Sequence, residues 1–255
     1  MTMTPKVFVH GNPESDAIWS RLVDALPAEV ATNVVLLSPP GFGAPSPDGW
    51  AGTQSGYVEW LVAELERIGG PVDIVGHDWG AGHVYGLVVR RPDLVNTWVA
   101  DCAGLIHPDY VWHDAAAAWQ TPEIGEAAVA TLTNMTFDEK VAVLESLGMT
   151  GGIAQRVAVH INADMGRNIL SLYRAAAQPA MATLGKQLMS SKPPRGCVVV
   201  PTADHYPGTP EMAREVARGL GADVVELDGK GHWWMIEDAA TAAVRLTDFW
   251  SAAQG

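Results

Sequence analysis

The chain has 255 residues, with 29 acidic against 16 basic side chains and a formal charge of −13. That balance argues against nucleic acid and anionic membranes as partners, because like charges repel. Hydrophobic residues at 48%, charged residues at 18%, and 26 Gly with 17 Pro make the composition of a folded protein rich in turns, which excludes a disordered chain.

Met1-Thr2-Met3-Thr4 runs straight into Lys6-Val7-Phe8-Val9 with no signal-peptide pattern, and no apolar run reaches the about 18 residues a membrane span needs, so a cytoplasmic location is expected. Short β-branched runs bounded by turn residues predict strands at 6–10, 33–37, 72–76, 97–102, 196–200 and 223–227. Continuous runs such as Val72-Asp73-Ile74-Val75 and Val198-Val199-Val200 suit strands buried on both faces of a parallel sheet, and helical spacing at 57–68 and 81–89 supplies the cover. From 107 to about 192 the pattern is Ala-rich and helix-forming with no strand. The expected organisation is therefore an α/β core in two parts, 1–106 and 193–255, with a helical cap, or lid, at 107–192. Cys102 and Cys197 stand in apolar stretches and allow one bridge at most, so neither a disulfide framework nor zinc-type spacing is present.

The segment Val72-Asp73-Ile74-Val75-Gly76-His77-Asp78-Trp79-Gly80-Ala81-Gly82 sets Gly-x-Asp-x-Gly between a buried strand and a helix, the context of a nucleophile elbow. Small residues at Gly76, Gly80 and Ala81 let the backbone turn sharply, and Asp78 would stand at the helix N-terminus where a carboxylate is favoured. Taken alone, Asp78 reads better as a helix N-cap, and His10-Gly11-Asn12-Pro13 as a polar turn after a strand. Together with His232 in Asp228-Gly229-Lys230-Gly231-His232-Trp233, after the last predicted strand, they form a chain-order set of nucleophile, base and donors.

With these motifs the chain resembles the α/β-hydrolase family, and within it the Asp-nucleophile branch of haloalkane dehalogenases, epoxide hydrolases and haloacetate dehalogenases. The resemblance rests on His77-Asp78-Trp79-Gly80, His10-Gly11-Asn12-Pro13, Pro40-Gly41-Phe42-Gly43 and Gly231-His232-Trp233, and so covers most of the chain. One departure is that the branch's usual leading antiparallel strands have no room before Lys6. The resemblance implies an α/β-hydrolase fold, a mostly parallel sheet flanked by helices with an inserted helical cap. It also implies Asp78 as nucleophile, His232 as base, Asp204 as the acid that orients it, backbone donors at Asn12 and Trp79, and a cis bond before Pro13. Asp101, at the end of the preceding strand, is the competitor for the acid, although Cys102 rather than Asp101 stands at the matching position. Neither metal nor cofactor is implied.

An Asp nucleophile constrains the chemistry by itself. Displacement at saturated carbon gives an ester that water cleaves, whereas attack on an ester carbonyl would give a high-energy anhydride, so esterase and peptidase activities are disfavoured. Asn12 and Trp79 match the halide donors of haloalkane dehalogenases, which puts carbon–halogen cleavage first. Epoxide hydrolysis is the alternative, because Ser171-Leu172-Tyr173-Arg174 is similar to a lid segment whose Tyr polarises an epoxide oxygen. The second lid Tyr of such enzymes is replaced by Ala115, and Tyr110 is the substitute to weigh. Haloacetate dehalogenation is disfavoured, since Gly80, Ala81, Gly82 and His83 offer no Arg for a substrate carboxylate. The expected partner is a small apolar organic substrate, walled by Trp112, Trp119, Met165, Leu172 and Trp233. From another class, a non-catalytic ligand-binding member of the fold is the remaining alternative.

Overall fold

The computed structural model describes residues 4–253. Its first half alternates strands and helices: β1 (Lys6–Val9), the short helices α1 (Ser20–Ala25) and α2 (Ala28–Ala31), β2 (Val34–Leu37), α3 (Gln54–Ile68), β3 (Val72–Gly76), α4 (Trp79–Arg90) and β4 (Val95–Ala100). Six helices follow without a strand: α5 (Asp114–Gln120), α6 (Ile124–Asn134), α7 (Phe137–Ser146), α8 (Ile153–Ala158), α9 (Ala163–Ala175) and α10 (Ala180–Ser190). The chain then completes the sheet with β5 (Gly196–Pro201), α11 (Pro210–Leu220), β6 (Asp223–Leu227), α12 (Trp234–Glu237) and α13 (Ala239–Ala253).

All six strands are parallel and run in the order β2-β1-β3-β4-β5-β6. Every residue of β1, β3 and β5 is buried, as strands covered by helices on both faces require, while the two edge strands β2 and β6 are partly open. The chain moves outward from β1 to β2 and then crosses back to β3 on the other side of β1. The carboxyl ends of β1 and β3 therefore flank a topological switch point, where open α/β sheets form a ligand-binding crevice. Asn12 follows one of these strands and Asp78 the other.

The largest departure from the sequence pattern is at β4, which runs Val95–Ala100 rather than 97–102; it ends early because Cys102 takes a left-handed conformation, φ 50°, that diverts the chain into a 3-10 turn at Ala103–Ile106. The helix α10 packs against α4 and that turn, flanking the sheet, whereas α5, α6 and α9 pack on one another above it. Both cysteines are buried and free. No helix among the described residues is long and apolar enough to cross a membrane.

Candidate active site

Asp78 holds the turn between β3 and α4 with φ 52° and ψ −120°, a conformation strained for any residue with a side chain and suited to presenting a carboxylate at the sheet edge. Glycines make the turn possible. A Cβ at Gly80 would lie 2.1 Å from the Val9 carbonyl oxygen, and one at Gly11 would lie 2.1 Å from Asp78 Oδ1, so β1 and its following loop approach the turn backbone to backbone. Through that approach the Asn12 N–H donates to Asp78 Oδ1 at 2.8 Å. The Asn12–Pro13 peptide is cis, as the motif leads one to expect. Trp79 is the first residue of α4, and its N–H has no carbonyl partner within the helix.

His232 lies in the loop between β6 and α12, its Nε2 3.8 Å from Asp78 Oδ2. On its other side Nδ1–H donates to Asp204 Oδ2 at 2.8 Å, and the remaining Asp204 oxygen accepts from the Tyr206 N–H at 3.0 Å. The chain thus brings Asp78, His232 and Asp204 together from the ends of β3, β6 and β5. Burial disfavours the imidazolium, but the adjoining Asp204 outweighs it and holds His232 above the ordinary imidazole range. Asp78 is pushed up to about 6 by burial, against the opposing pull of His232. A carboxylate that attacks carbon must be ionised. If Asp78 acts as the nucleophile, the rate of ester formation, read in single-turnover experiments, is therefore expected to fall about tenfold per pH unit below pH 6.

Asp101 occupies a different environment. Its Oδ1 accepts the Asp78 N–H at 3.0 Å, while Oδ2 takes the Trp234 indole N–H at 2.7 Å and a hydrogen bond from His77 Nδ1. The other nitrogen of His77 meets Glu14 Oε1 at 3.0 Å, and Glu14 also receives the Trp233 indole N–H at 2.6 Å and the Gly11 N–H at 2.7 Å. His77, Glu14 and Asp101 are all at most 1% exposed. Burial opposes charge on His77, yet the two carboxylates hold it well above the ordinary imidazole range, so it is an imidazolium clamped between Glu14 and Asp101. Reciprocally, burial would raise Glu14, but His77 brings it down to about 2. This lattice ties together the nucleophile's backbone, the loop after β1 and the loop carrying His232.

Tyr173 on α9 reaches into the same centre. Asn12 Nδ2–H donates to its hydroxyl at 3.4 Å. Its ring sits against those of Trp79, Trp112 and Trp119, at centroid distances of 5.2, 5.7 and 4.7 Å. The helix is fixed over the core by Asn168, whose Oδ1 accepts from Tyr57 on α3 and from Trp50, each at 2.9 Å. Tyr110 does not enter the centre, because its hydroxyl donates to the Tyr206 carbonyl at 2.9 Å.

A cavity of about 220 Å³ opens over these groups, with Asn12, Asp78, Tyr173 and His232 in its wall. Trp119 and Trp233 also line it. Trp112 instead borders a small adjoining space beside Trp79 and Cys102. Met165 and Leu172 are a correction. With Ile169 they form an i, i+4, i+7 stripe of α9 that is fully buried in the packing, one helical face away from Tyr173. In their place the wall is built largely by α7 and its end, through Lys140, Val143, Leu144 and Leu147, with Leu132 and Ile161 beside them. The i, i+3, i+4, i+7 spacing of that face is visible in the sequence, but what the face meets is not.

Among the described residues two trios bring metal-ligating atoms within 4.8 Å of one another, Glu14 with His77 and His232, and Cys102 with Asp204 and His232. Both nitrogens of His77, and Nδ1 of His232, are already engaged with carboxylates, so these donor sets are spent on the hydrogen-bonded lattice.

A parallel α/β sheet with an acidic residue at a strained strand-to-helix turn, facing a histidine and its carboxylate at the sheet's carboxyl edge, is the architecture of an enzyme of the hydrolase kind. Residues 7–245 match the profile of the Alpha/beta hydrolase family, and the chain belongs to that family. Among solved structures it is similar to a loop variant of the haloalkane dehalogenase DbeA from Bradyrhizobium elkanii, with 19% identity, a TM-score of 0.73, and coverage of 100% of this chain and 93% of that one. It is similar also to a thermophilic esterase from Thermogutta terrifontis, at 16% identity, TM-score 0.74 and coverage of 100% and 92%. A third is a bromoperoxidase from Bacillus anthracis, at 18% identity, TM-score 0.73 and coverage of 98% and 92%. No curated protein matches the chain by sequence.

Proposed function

We propose that the protein hydrolyses small organic substrates, held through an apolar chain, at saturated carbon through a covalent ester on Asp78. In the first step an Asp78 oxygen forms the C–O bond as the carbon's bond to its leaving group breaks, and the electron pair departs with that group. In the second step His232 takes a proton from water, and the resulting hydroxide adds to the Asp78 carbonyl carbon. Collapse of that adduct frees the alcohol and restores the carboxylate, and the proton passes from His232 to solvent. The Asn12 and Trp79 N–H groups stabilise the oxyanion of the second step, each by about 2.7–4 kcal/mol. The observation that carries the proposal is the placing of a carboxylate, rather than a hydroxyl, 3.8 Å from a histidine that Asp204 holds in the base-competent tautomer.

Carbon–halogen cleavage is the leading reaction. The Asn12 amide and the Trp79 side chain converge beside Asp78, as dispersal of charge on a departing halide requires, and haloalkane dehalogenases stand among the proteins that share the fold. Epoxide hydrolysis is the second reading, favoured by one observation: the Asn12 amide donates to the Tyr173 hydroxyl beside Asp78. A phenol that accepts there is left to donate its own hydrogen, to a halide as an extra donor or to an epoxide oxygen as the acid.

Intact mass of His232→Ala exposed separately to mixed bromoalkanes and mixed epoxides tests the proposal, since loss of the base should leave the ester on Asp78. An alkyl increment supports the first reading and an increment equal to a whole epoxide the second. No adduct on the folded variant from either set rejects the mechanism and leaves ligand binding without catalysis in its place. Tyr173→Phe is expected to slow epoxide opening by about 10²-fold or more, and halide displacement by far less.

A further inference from the structure

Lys140 stands on a face of the cavity wall that would otherwise be apolar. The α7 face that lines the cavity consists of Lys140, Val143, Leu144 and, just beyond the helix, Leu147. An ammonium thus takes the first position of an i, i+3, i+4, i+7 stripe whose other members are apolar. Of the acidic residues on the same helix, Glu139 accepts from Thr136 and Glu145 from Gln155, while Asp138 is exposed. Among the described residues Lys140 has no carboxylate partner, in a chain with 29 acidic side chains, and its one hydrogen bond goes to the Ile161 carbonyl at 3.0 Å. Two of its three N–H donors remain for a ligand.

The rest of the wall gives that ammonium no counter-charge nearer than the nucleophile. Among the described residues Asp78 is the only acidic one lining the cavity, and the wall's other ionisable groups are His113, Tyr173, Tyr206 and His232. His113 is kept below the ordinary imidazole range, chiefly by burial, and so is neutral near pH 7. The cavity therefore pairs a carboxylate nucleophile with a single unpartnered cation contributed by the helix above it.

We infer that Lys140 binds a substrate carboxylate, and that the preferred substrates are ω-substituted short-chain carboxylic acids whose reacting carbon is separated from the acid group by an apolar chain. The inference rests on the Asp78 mechanism proposed above. A carboxylate directly beside the reacting carbon would lie against the negative Asp78, so α-halo acids are excluded by the same charges that favour the ω-substituted ones. At about 220 Å³ the cavity is smaller than the roughly 300–1,000 Å³ of drug-sized sites, which suits a short chain.

The test uses ω-bromo carboxylates of four to eight carbons against their methyl esters, and ω-epoxy carboxylates against theirs. The expected result is a preference of about tenfold in kcat/KM for the free acid, carried mainly by KM and shrinking as ionic strength rises. Lys140→Met and Lys140→Gln should bring the acid-to-ester ratio to about one, the Gln variant keeping a donor for Ile161, and Lys140→Arg should retain most of it. A wild-type ratio near one, or a ratio that survives Lys140→Met, overturns the inference, as does an equal loss on acid and ester. Adducts on His232→Ala with the esters alone overturn this inference and leave the mechanism standing, whereas no adduct with either set overturns both.

Discussion

Asp204→Asn is expected to slow hydrolysis of the covalent ester by about 10⁴-fold while the protein stays folded and still forms the ester. Asp204 receives Nδ1–H of His232 at 2.8 Å and is the chief reason, against burial, that the imidazole lies above its ordinary range. An amide in its place offers either a weaker acceptor or a donor that imposes the opposite tautomer, and it cannot balance the imidazolium that forms when water is deprotonated. Ester formation needs only an ionised Asp78 and a leaving-group site, so the variant should accumulate adduct, which intact-mass sampling through a single turnover would read. Asp101→Asn should behave otherwise. Its carboxylate serves the Asp78 N–H, Trp234 and His77 and makes no hydrogen bond to His232, so the expected loss is in urea stability. If Asp101→Asn blocked deacylation in a stable protein while Asp204→Asn turned over normally, the assignment of the acid would be reversed.

The contrast between these two aspartates shows how far the sequence carried. β3, Asp78 and the glycines around it are local: a buried β-branched run, a sharp turn and a helix adjoin in the chain, and β3 runs Val72–Gly76 as predicted. His232 and Asp204 are legible through chain order at strand ends. The Glu14–His77–Asp101 lattice was not, because its links span 63 and 24 residues and no periodicity announces them. Its one trace in the sequence is the presence of ionisable residues at positions flanked by apolar core. The cavity wall failed for a related reason. The stripe of Met165, Ile169 and Leu172 and the face of Lys140, Val143, Leu144 and Leu147 have the same helical period, and only the packing of α9 and α7 decides which is core and which is lining.

Removing the charge at the middle of that lattice should have the largest effect on stability. His77→Leu leaves Glu14 and Asp101 as two buried carboxylates without their shared cation, and breaking a buried ion pair in this way costs about 3–5 kcal/mol. Against a typical total of about 5–15 kcal/mol, the variant should lie near its unfolding midpoint in mild urea. The same lattice fixes the pH dependence of the wild type. His77 binds its proton more tightly folded than unfolded, so its contribution is full below about pH 6.5 and is lost as pH rises towards its raised folded value. Glu14, at about 2 folded against 4.5 unfolded, contributes fully above pH 4.5 and loses that contribution as pH falls towards 2. Asp101, also held low by His77 against the effect of burial, adds to the acid limb. The lattice's own contribution to urea stability should therefore be largest between about pH 4.5 and 6.5 and decline on both sides. Asp78, raised to about 6, loses its contribution as pH rises towards that value and so draws the overall maximum to the acid end of the window. In Glu14→Gln the acid limb should shrink, because one of the two carboxylates that must be protonated is gone. A profile flat from pH 3 to 9, or one unchanged by Glu14→Gln, would show that His77 carries no proton between its two carboxylates.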